Sequence, residues 1–315
     1  MKGMRPSTRL RQRIGQERIL VAPGAHDALT ARIIERAGFE AIYFTGAGFA
    51  YTHLGAPDVG LTTLTETVWR VARIVESTSL PVIVDADTGY GNAFNVIRTV
   101  RELERAGAAA IQIEDQVFPK RCGHLTGKSL VSPEEMVGKI QAALDTREDP
   151  DLLLIARTDA LAVEGLEGAL ARARRYREAG ADVLFVEAPR SREELEAIAR
   201  ALDPPLLANM VEGGVTPLCT ASELEAMGYR IAIFPGAAVR VAAAAIMELM
   251  AHLRREGTTV GMHDRMLTLG QLNELVGLGE FQKREERYIG GLREGSSDRP
   301  GRRASPGGQE RRDGA

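Results

Sequence analysis

The chain has little cysteine, few aromatic residues and no long apolar run, and each shortage removes a class of protein. Two cysteines in 315 residues, Cys122 and Cys219, are too few for a disulfide framework, and no paired C-x-x-C spacing offers a soft-metal site. A reducing, cytoplasmic setting is expected. Aromatic residues make up 5% of the chain and the formal net charge is -3, so neither a stacking platform nor a basic footprint for nucleic acid is present. No stretch is apolar for long enough to span a bilayer, and MKGMRPSTRLRQRIGQERIL at the start is basic without the apolar centre of a signal peptide. Residues 293 to 315 are Gly, Pro, Ser and charge with almost no apolar residue, and read as a disordered tail.

What is present is a repeated phrase. RAGFEAIYFTG (36 to 46), RAGAAAIQIED (105 to 115), EAGADVLFVEA (178 to 188) and AMGYRIAIFPG (226 to 236) each read as a helix end, a turn glycine and a strand apolar on both faces. ILVAP (19 to 23), LPVIVDAD (80 to 87), LLLIARTD (152 to 159) and PLLANM (205 to 210) raise the strand count to eight. Helix-period segments lie between them, several opened by a hydroxyl and a Glu three residues on: Thr63/Glu66, Ser132/Glu135, Ser191/Glu194 and Thr220/Glu223. The expected architecture is an α/β fold, a (β/α)8 TIM-type barrel over 17 to 255. It follows an N-terminal extension (1 to 16) and precedes a C-terminal helical segment (256 to 292). An open doubly wound sheet is the alternative, but no GxGxxG opens its first turn. Leu267, Leu269, Leu272, Leu275, Val276 and Phe281 form an apolar face outside the barrel, and a homo-oligomer is expected to cover it.

Such a barrel keeps its active site at the C-terminal ends of its strands. There the sequence places Thr45-Gly46, Asp85 and Asp87, Glu114-Asp115, Arg157 and Asp159, Glu187, and Asn209. Asp85, Asp87, Glu114 and Asp115, from adjacent strands, would repel one another unless a cation neutralised them. Oxygen ligands without His or Cys favour Mg2+, or Mn2+. Asp85 and Asp87 share a face by strand alternation, whereas Asp115 reads equally as a structural acid. Residues 116 to 132, QVFPKRCGHLTGKSLVS, exceed the usual connection of about 2 to 6 residues and suggest a catalytic loop with Gly123 and Gly127 as hinges. Lys120, Arg121, His124 and Lys128 surround Cys122 with positive charge, a setting that activates a thiol and attracts carboxylates. Cys219 reads as a small buried hydrophobe. Arg157 needs a partner, either a substrate carboxylate or an internal acid such as Asp159 or Glu187. Tyr43 is a candidate general base or a core tyrosine; His26 and His53 lack metal-ligand spacing and read as structural.

With YFTGAG (43 to 48), DADTGYGN (85 to 92), IEDQ (113 to 116), PKRCGH (119 to 124), ARTDA (156 to 160) and NMVEGG (209 to 214), the chain resembles the isocitrate lyase and phosphoenolpyruvate mutase superfamily over roughly residues 17 to 290. It looks like the short lyase branch of 2-methylisocitrate lyase, 2,3-dimethylmalate lyase and the carboxyvinyl-carboxyphosphonate phosphonomutase-like proteins. That resemblance implies Mg2+ on Asp85 and Asp87, with Glu114 reaching it through water. It implies substrate contacts at Thr45, Gly46, Ala47, Gly123, Arg157, Glu187, Asn209 and Arg240, with Asp58 as a further pocket acid. Lys120, Arg121, Cys122 and His124 would be catalytic-loop residues, Cys122 the acid. The reaction implied is cleavage of a small 2-hydroxy di- or tricarboxylate to a 2-keto acid such as pyruvate and a carboxylate, in a dimer of helix-swapped dimers. Methylisocitrate lyases carry a Thr-Glu pair after the seventh-strand Asn and an Arg in the C-terminal segment; here stand Val211-Glu212 and Leu269. A 2,3-dialkylmalate is therefore expected ahead of 2-methylisocitrate. The alternatives are a phosphonate-processing mutase or hydrolase, an oxaloacetate decarboxylase, and a barrel that binds without catalysis.

Overall fold

A computed structural model describes residues 3–123 and 127–294, with side chains to 289. His124 and nearly all of the expected tail lie outside the described residues. Eight parallel strands close into a barrel in chain order. They are β1 (Leu20–Ala25), β2 (Ile42–Phe44), β3 (Val82–Asp85), β4 (Ala110–Glu114), β5 (Leu153–Thr158), β6 (Val183–Val186), β7 (Leu206–Asn209) and β8 (Ile231–Phe234). β8 closes on β1 with Leu20 opposite Ile231. The apolar runs divide by alternation. Leu20, Tyr43, Ile83, Ile155, Phe185 and Ile233 fill the barrel, while Ile42, Phe44, Val84, Ile111, Leu154 and Leu184 pack outward against helices.

The helices are α1 (Pro6–Ile14), α2 (Ala28–Arg36), α3 (Gly46–His53), α4 (Leu64–Ser77), α5 (Ala93–Arg105), α6 (Pro133–Thr146), α7 (Leu161–Glu178), α8 (Arg192–Ala201), α9 (Ala221–Met227) and α10 (Ala237–Glu256). Thr63/Glu66 and Thr220/Glu223 form full capping boxes. At Ser132 and Ser191 only the hydroxyl half forms, because Glu135 turns to Lys139 and Glu194 accepts from the Arg190 N–H.

The residues expected as an N-terminal extension hold α1, which plugs the N-terminal end of the barrel. Leu10 and Ile14 are buried among the inward side chains of β1, β5 and β8. Ser7 bonds Asp149 (2.6 Å), Thr8 bonds Asp151 (2.5 Å) and Arg11 pairs with Asp182 (2.9 Å), so the helix is tied to the loops that enter β5 and β6.

By its contacts the chain divides into two units, one up to Thr259 and one from Val260. The second holds α11 (Leu269–Leu275) and α12 (Leu278–Glu294), with Leu269 exposed. In the first, α10 leaves Val241 70% and Met247 73% exposed, an unusual display for an apolar helix. Among the described residues no helix is long and apolar enough to cross a membrane.

Candidate active site

Asp85 ends β3, and Asp87 follows with φ 49°, in the left-handed region. The turn lets the Asp87 N–H donate to Asp85 Oδ1 (3.1 Å), so this turn, rather than strand alternation, brings the two acids together. Tyr90 (φ 61°) and Ala188 (φ 60°) are, among the described residues, the other non-glycine residues in that region, one in the loop after β3 and one directly after Glu187. Such backbone costs about 1 to 3 kcal/mol per residue and is kept where surrounding structure enforces it. Asp85 is steadied from the side by a relay sequence reasoning missed: Tyr43 Oη donates to Gln112 Oε1 (3.1 Å), and Gln112 Nε2 donates to Asp85 Oδ1 (3.3 Å). Alternation along IQIED carried that signal, since it sets Gln112 and Glu114 on one face.

The same alternation turns Asp115 away. It accepts from Thr158 Oγ1 (2.7 Å), Tyr176 Oη (2.7 Å) and the Asp159 N–H (2.9 Å), and Arg172 lies 3.5 Å away. Asp115 is therefore a structural acid, not a fourth member of the carboxylate cluster. Asp58 takes its place. Lys120 Nζ bridges Asp58 (2.6 Å) and Asp87 (2.7 Å), so a lysine supplies part of the positive charge that the carboxylates demand.

The balance is still negative. Asp58, Asp85, Asp87, Glu114, Asp159 and Glu187 are buried on this side against Lys120, Lys128 and Arg157. Among the described residues this makes six carboxylates against three cations, apart from Asp115 with Arg172 and Lys139 with Glu135 and the Thr88 carbonyl. Burial raises the Asp87 pKa, Lys120 opposes it, and Asp85 and Asp58 add to the rise, leaving it at about 6. Burial pushes Glu114 well above the usual carboxylate range despite Arg157 at 3.3 Å, and among the described residues neither Glu114 oxygen has a hydrogen-bond donor. Burial would raise Asp159 too, but Arg157 and Lys128 outweigh it and hold it at about 2.

Of these, Asp58, Asp85, Glu187, Lys120 and Arg157 border a cavity of about 110 Å³, while Asp87, Glu114, Asp159 and Lys128 are not part of its lining. Thr45 and Ala47 line it where α3 begins; Thr45 Oγ1 caps Gly48 N–H (3.1 Å), and the Gly46 and Ala47 N–H groups have no partner within the helix. A β-carbon on Gly46 would stand 3.0 Å from Asp85 Oδ2 and 3.5 Å from Asp87 Oδ1, so the glycine keeps open a space that both acids face. Cys122 and Gly123 form another wall, and Asn209 Nδ2 meets both Glu187 oxygens at 3.3 Å. A larger cavity, about 520 Å³, opens beside α1, far from the strand C-termini, and its Arg5, Glu104 and Asp149 are already paired with protein groups.

The loop residues divide by role. Cys122 N–H donates to the Asp58 carbonyl (3.2 Å), while Arg121 is exposed and its peptide is held by Gln116. Gly127 has φ 79°, as a hinge glycine would; Gly123 does not, and is needed because a β-carbon there would overlap Arg157 and Glu187. Arg157 forms the internal pair, donating to Asp159 through Nε (3.0 Å) and Nη2 (3.1 Å), and borders the cavity as well. Tyr43 borders it too; burial raises its hydroxyl well above the usual tyrosine range, and that hydroxyl donates to Gln112. Arg240, 54% exposed, sits at the rim 3.5 Å from Glu212. Val211, singled out in NMVEGG, lines the cavity as well; Tyr51, Pro235 and Gly236 complete the lining and had no sequence signal, because nothing in their local pattern distinguishes them.

The family model for phosphoenolpyruvate phosphomutase matches residues 10–254. The 2,3-dimethylmalate lyase of Eubacterium barkeri is 51% identical over 288 residues, covering 91% of this chain and 100% of its own. The 2-methylisocitrate lyase of Aeropyrum pernix is 48% identical over 281 residues, 89% of this chain and 90% of its own. A crystal structure of 2,3-dimethylmalate lyase, described as a PEP mutase/isocitrate lyase superfamily member, superimposes with a TM-score of 0.86 at 43% identity, covering 91% of this chain and 96% of that one. A match of this extent, on a barrel whose strand ends carry the expected acids and loop, shows that the chain belongs to the phosphoenolpyruvate phosphomutase family, within the PEP mutase/isocitrate lyase superfamily.

Proposed function

We propose that the protein is a Mg2+-dependent lyase that cleaves a carbon-carbon bond of a small 2-hydroxy dicarboxylate, releasing a 2-keto acid and a carboxylate. The observation that carries this is one cavity bordered by the Asp58, Asp85 and Glu187 carboxylates, the start of α3, the Arg157 guanidinium and the Cys122 thiol, with Asp87 2.7 Å from Lys120 and Glu114 3.3 Å from Arg157. The metal fits the residues present. Among the described residues these six buried acids outnumber the three cations beside them, Glu114 has no hydrogen-bond donor although Arg157 lies 3.3 Å away, and Asp85 and Asp87 face a common space beside Gly46. Asp85, Asp87 and Glu114 would hold Mg2+, with Mn2+ as substitute. When bound it would acidify the substrate hydroxyl, whose proton passes to one of the pocket carboxylates, and stabilise charge on that oxygen.

The protein's own groups do the rest. The Gly46 and Ala47 N–H groups, at the positive end of α3, and Arg157 bind carboxylates. Glu187 and Asn209 orient the fragment beside Arg157. Cys122 delivers a proton to the carbanion left by bond cleavage, and the Gly123 peptide over Arg157 keeps water from it. Val211 and Pro235 offer apolar surface and no donor for a third carboxylate, which favours a 2,3-dialkylmalate over 2-methylisocitrate.

Keto-acid release from 2,3-dimethylmalate and 2-methylisocitrate, with Mg2+ and with excess chelator, tests all three parts. Release from neither substrate would remove the lyase reading, full activity in chelator would remove the metal, and a higher kcat/KM for methylisocitrate would reverse the order of substrates. The apolar face of α10 supports a homo-oligomer, with the C-terminal helices exchanged between copies. Sedimentation velocity reads it directly, and Met247→Glu should lower the assembly state.

A further inference from the structure

Lys128 is an odd residue to bury. It sits on the return limb of the loop, beside the bond from Val117 N–H to the Ser129 carbonyl (2.8 Å) and the Gln116–Leu130 bridge. Yet its side chain is 1% exposed. The ammonium donates to the Gly123 carbonyl and lies 2.9 Å from Asp159 Oδ1. A lysine withdrawn from water in this way needs compensating partners, and these two groups supply them.

Asp159, 0% exposed in its side chain, is also the partner of Arg157 through both carboxylate oxygens. It is anchored from behind, its N–H donating to Asp115, which Tyr176 and Thr158 hold in turn. One carboxylate therefore carries two cations that reach the site from different elements. Cys122 lies between two backbone anchors, its own N–H on the Asp58 carbonyl and the next carbonyl, Gly123, on Lys128.

We propose that Lys128 is a positioning residue for the Cys122 thiol, acting through the Gly123 carbonyl, and that Asp159 couples it to the orientation of Arg157. Its catalytic consequence rests on the lyase reading; its structural content does not. Loss of the pair frees the Gly123 peptide from Arg157 and Glu187 and lets Cys122 leave its place.

The test is the rate of Cys122 alkylation by iodoacetamide in the full chain, read by peptide mass spectrometry, with buried Cys219 as internal reference. Lys128→Met and Asp159→Asn should each speed Cys122 alkylation about 10-fold or more, the scale of one lost charge-assisted hydrogen bond. The double variant should be no faster than the faster single, and Cys219 should stay protected. Unchanged alkylation in Lys128→Met, or rates that multiply in the double variant, would overturn the proposal. A variant that fails to fold shows itself by Cys219 reactivity; Lys128→Gln then replaces it and is judged by the same outcomes. In turnover, Lys128→Met should lower kcat with a smaller change in KM. Wild-type protein without lyase activity but with this alkylation pattern would sink the functional reading and leave the positioning role standing.

Discussion

The two ends of the barrel are built on opposite principles. At the N-terminal end α1 inserts Leu10 and Ile14 into the barrel, and the charges around it, Arg11 with Asp151 and Asp182 and Arg147 with Asp182, are matched and partly solvated. At the C-terminal end, among the described residues, these six buried carboxylates face three cations, and three non-glycine residues hold left-handed backbone in the loops. The first end is satisfied by itself. The second is stable only because the rest of the fold enforces it, and its excess charge calls for a ligand.

Substitutions should separate the two ends cleanly. The largest effect is expected at Cys122. Cys122→Ser should lose about 10² to 10⁴ in turnover, the scale of a positioned acid, with an unchanged melting temperature. Near-normal turnover would make the thiol structural. Leu10→Ala should do the reverse, costing about 2 to 5 kcal/mol of stability for a fully buried leucine while kcat/KM per folded molecule is unaltered. Urea titration alongside kinetics reads both. If Leu10→Ala instead changed kcat/KM at full folding, the two ends would be coupled and the comparison would fail.

Gly123→Ala probes how tightly the site is drawn together. A β-carbon overlapping Arg157 and Glu187 must displace the peptide, and a displacement of about 1 Å can cost about 10²-fold in turnover. Its effect should fall on kcat, measured at saturating substrate. The smallest change is expected from Arg11→Ala. Its guanidinium is about a third exposed, so the lost pair with Asp182 should cost no more than about 1 kcal/mol, seen as a small shift in the urea midpoint.

Much of this was legible in the chain. Strands apolar on both faces, separated by capped helices, admit few closed arrangements, so RAGFEAIYFTG and its three companions were enough to infer a parallel barrel. The barrel rule then named Asp85, Asp87, Glu114, Arg157, Glu187 and Asn209 as neighbours, and each lies at a strand end on the site side. PKRCGH announced its loop by length and charge.

What only the tertiary structure decided is which neighbour each group answers to. Asp115 read equally as a cluster acid or a structural one, and the strand pleat sends it to Tyr176 and Thr158; Lys120 looked like a loop cation, yet it is spent on Asp58 and Asp87. Gly123 read as a hinge, and the structure adds that a β-carbon there would overlap Arg157 and Glu187. The physical reason is one of range. Strand and helix patterns are local, set by the period of the backbone, so the sequence carries them directly. Ion pairs and close approaches join residues far apart in the chain, such as Lys120 with Asp58 or Gly123 with Glu187, and exist only once the barrel has closed.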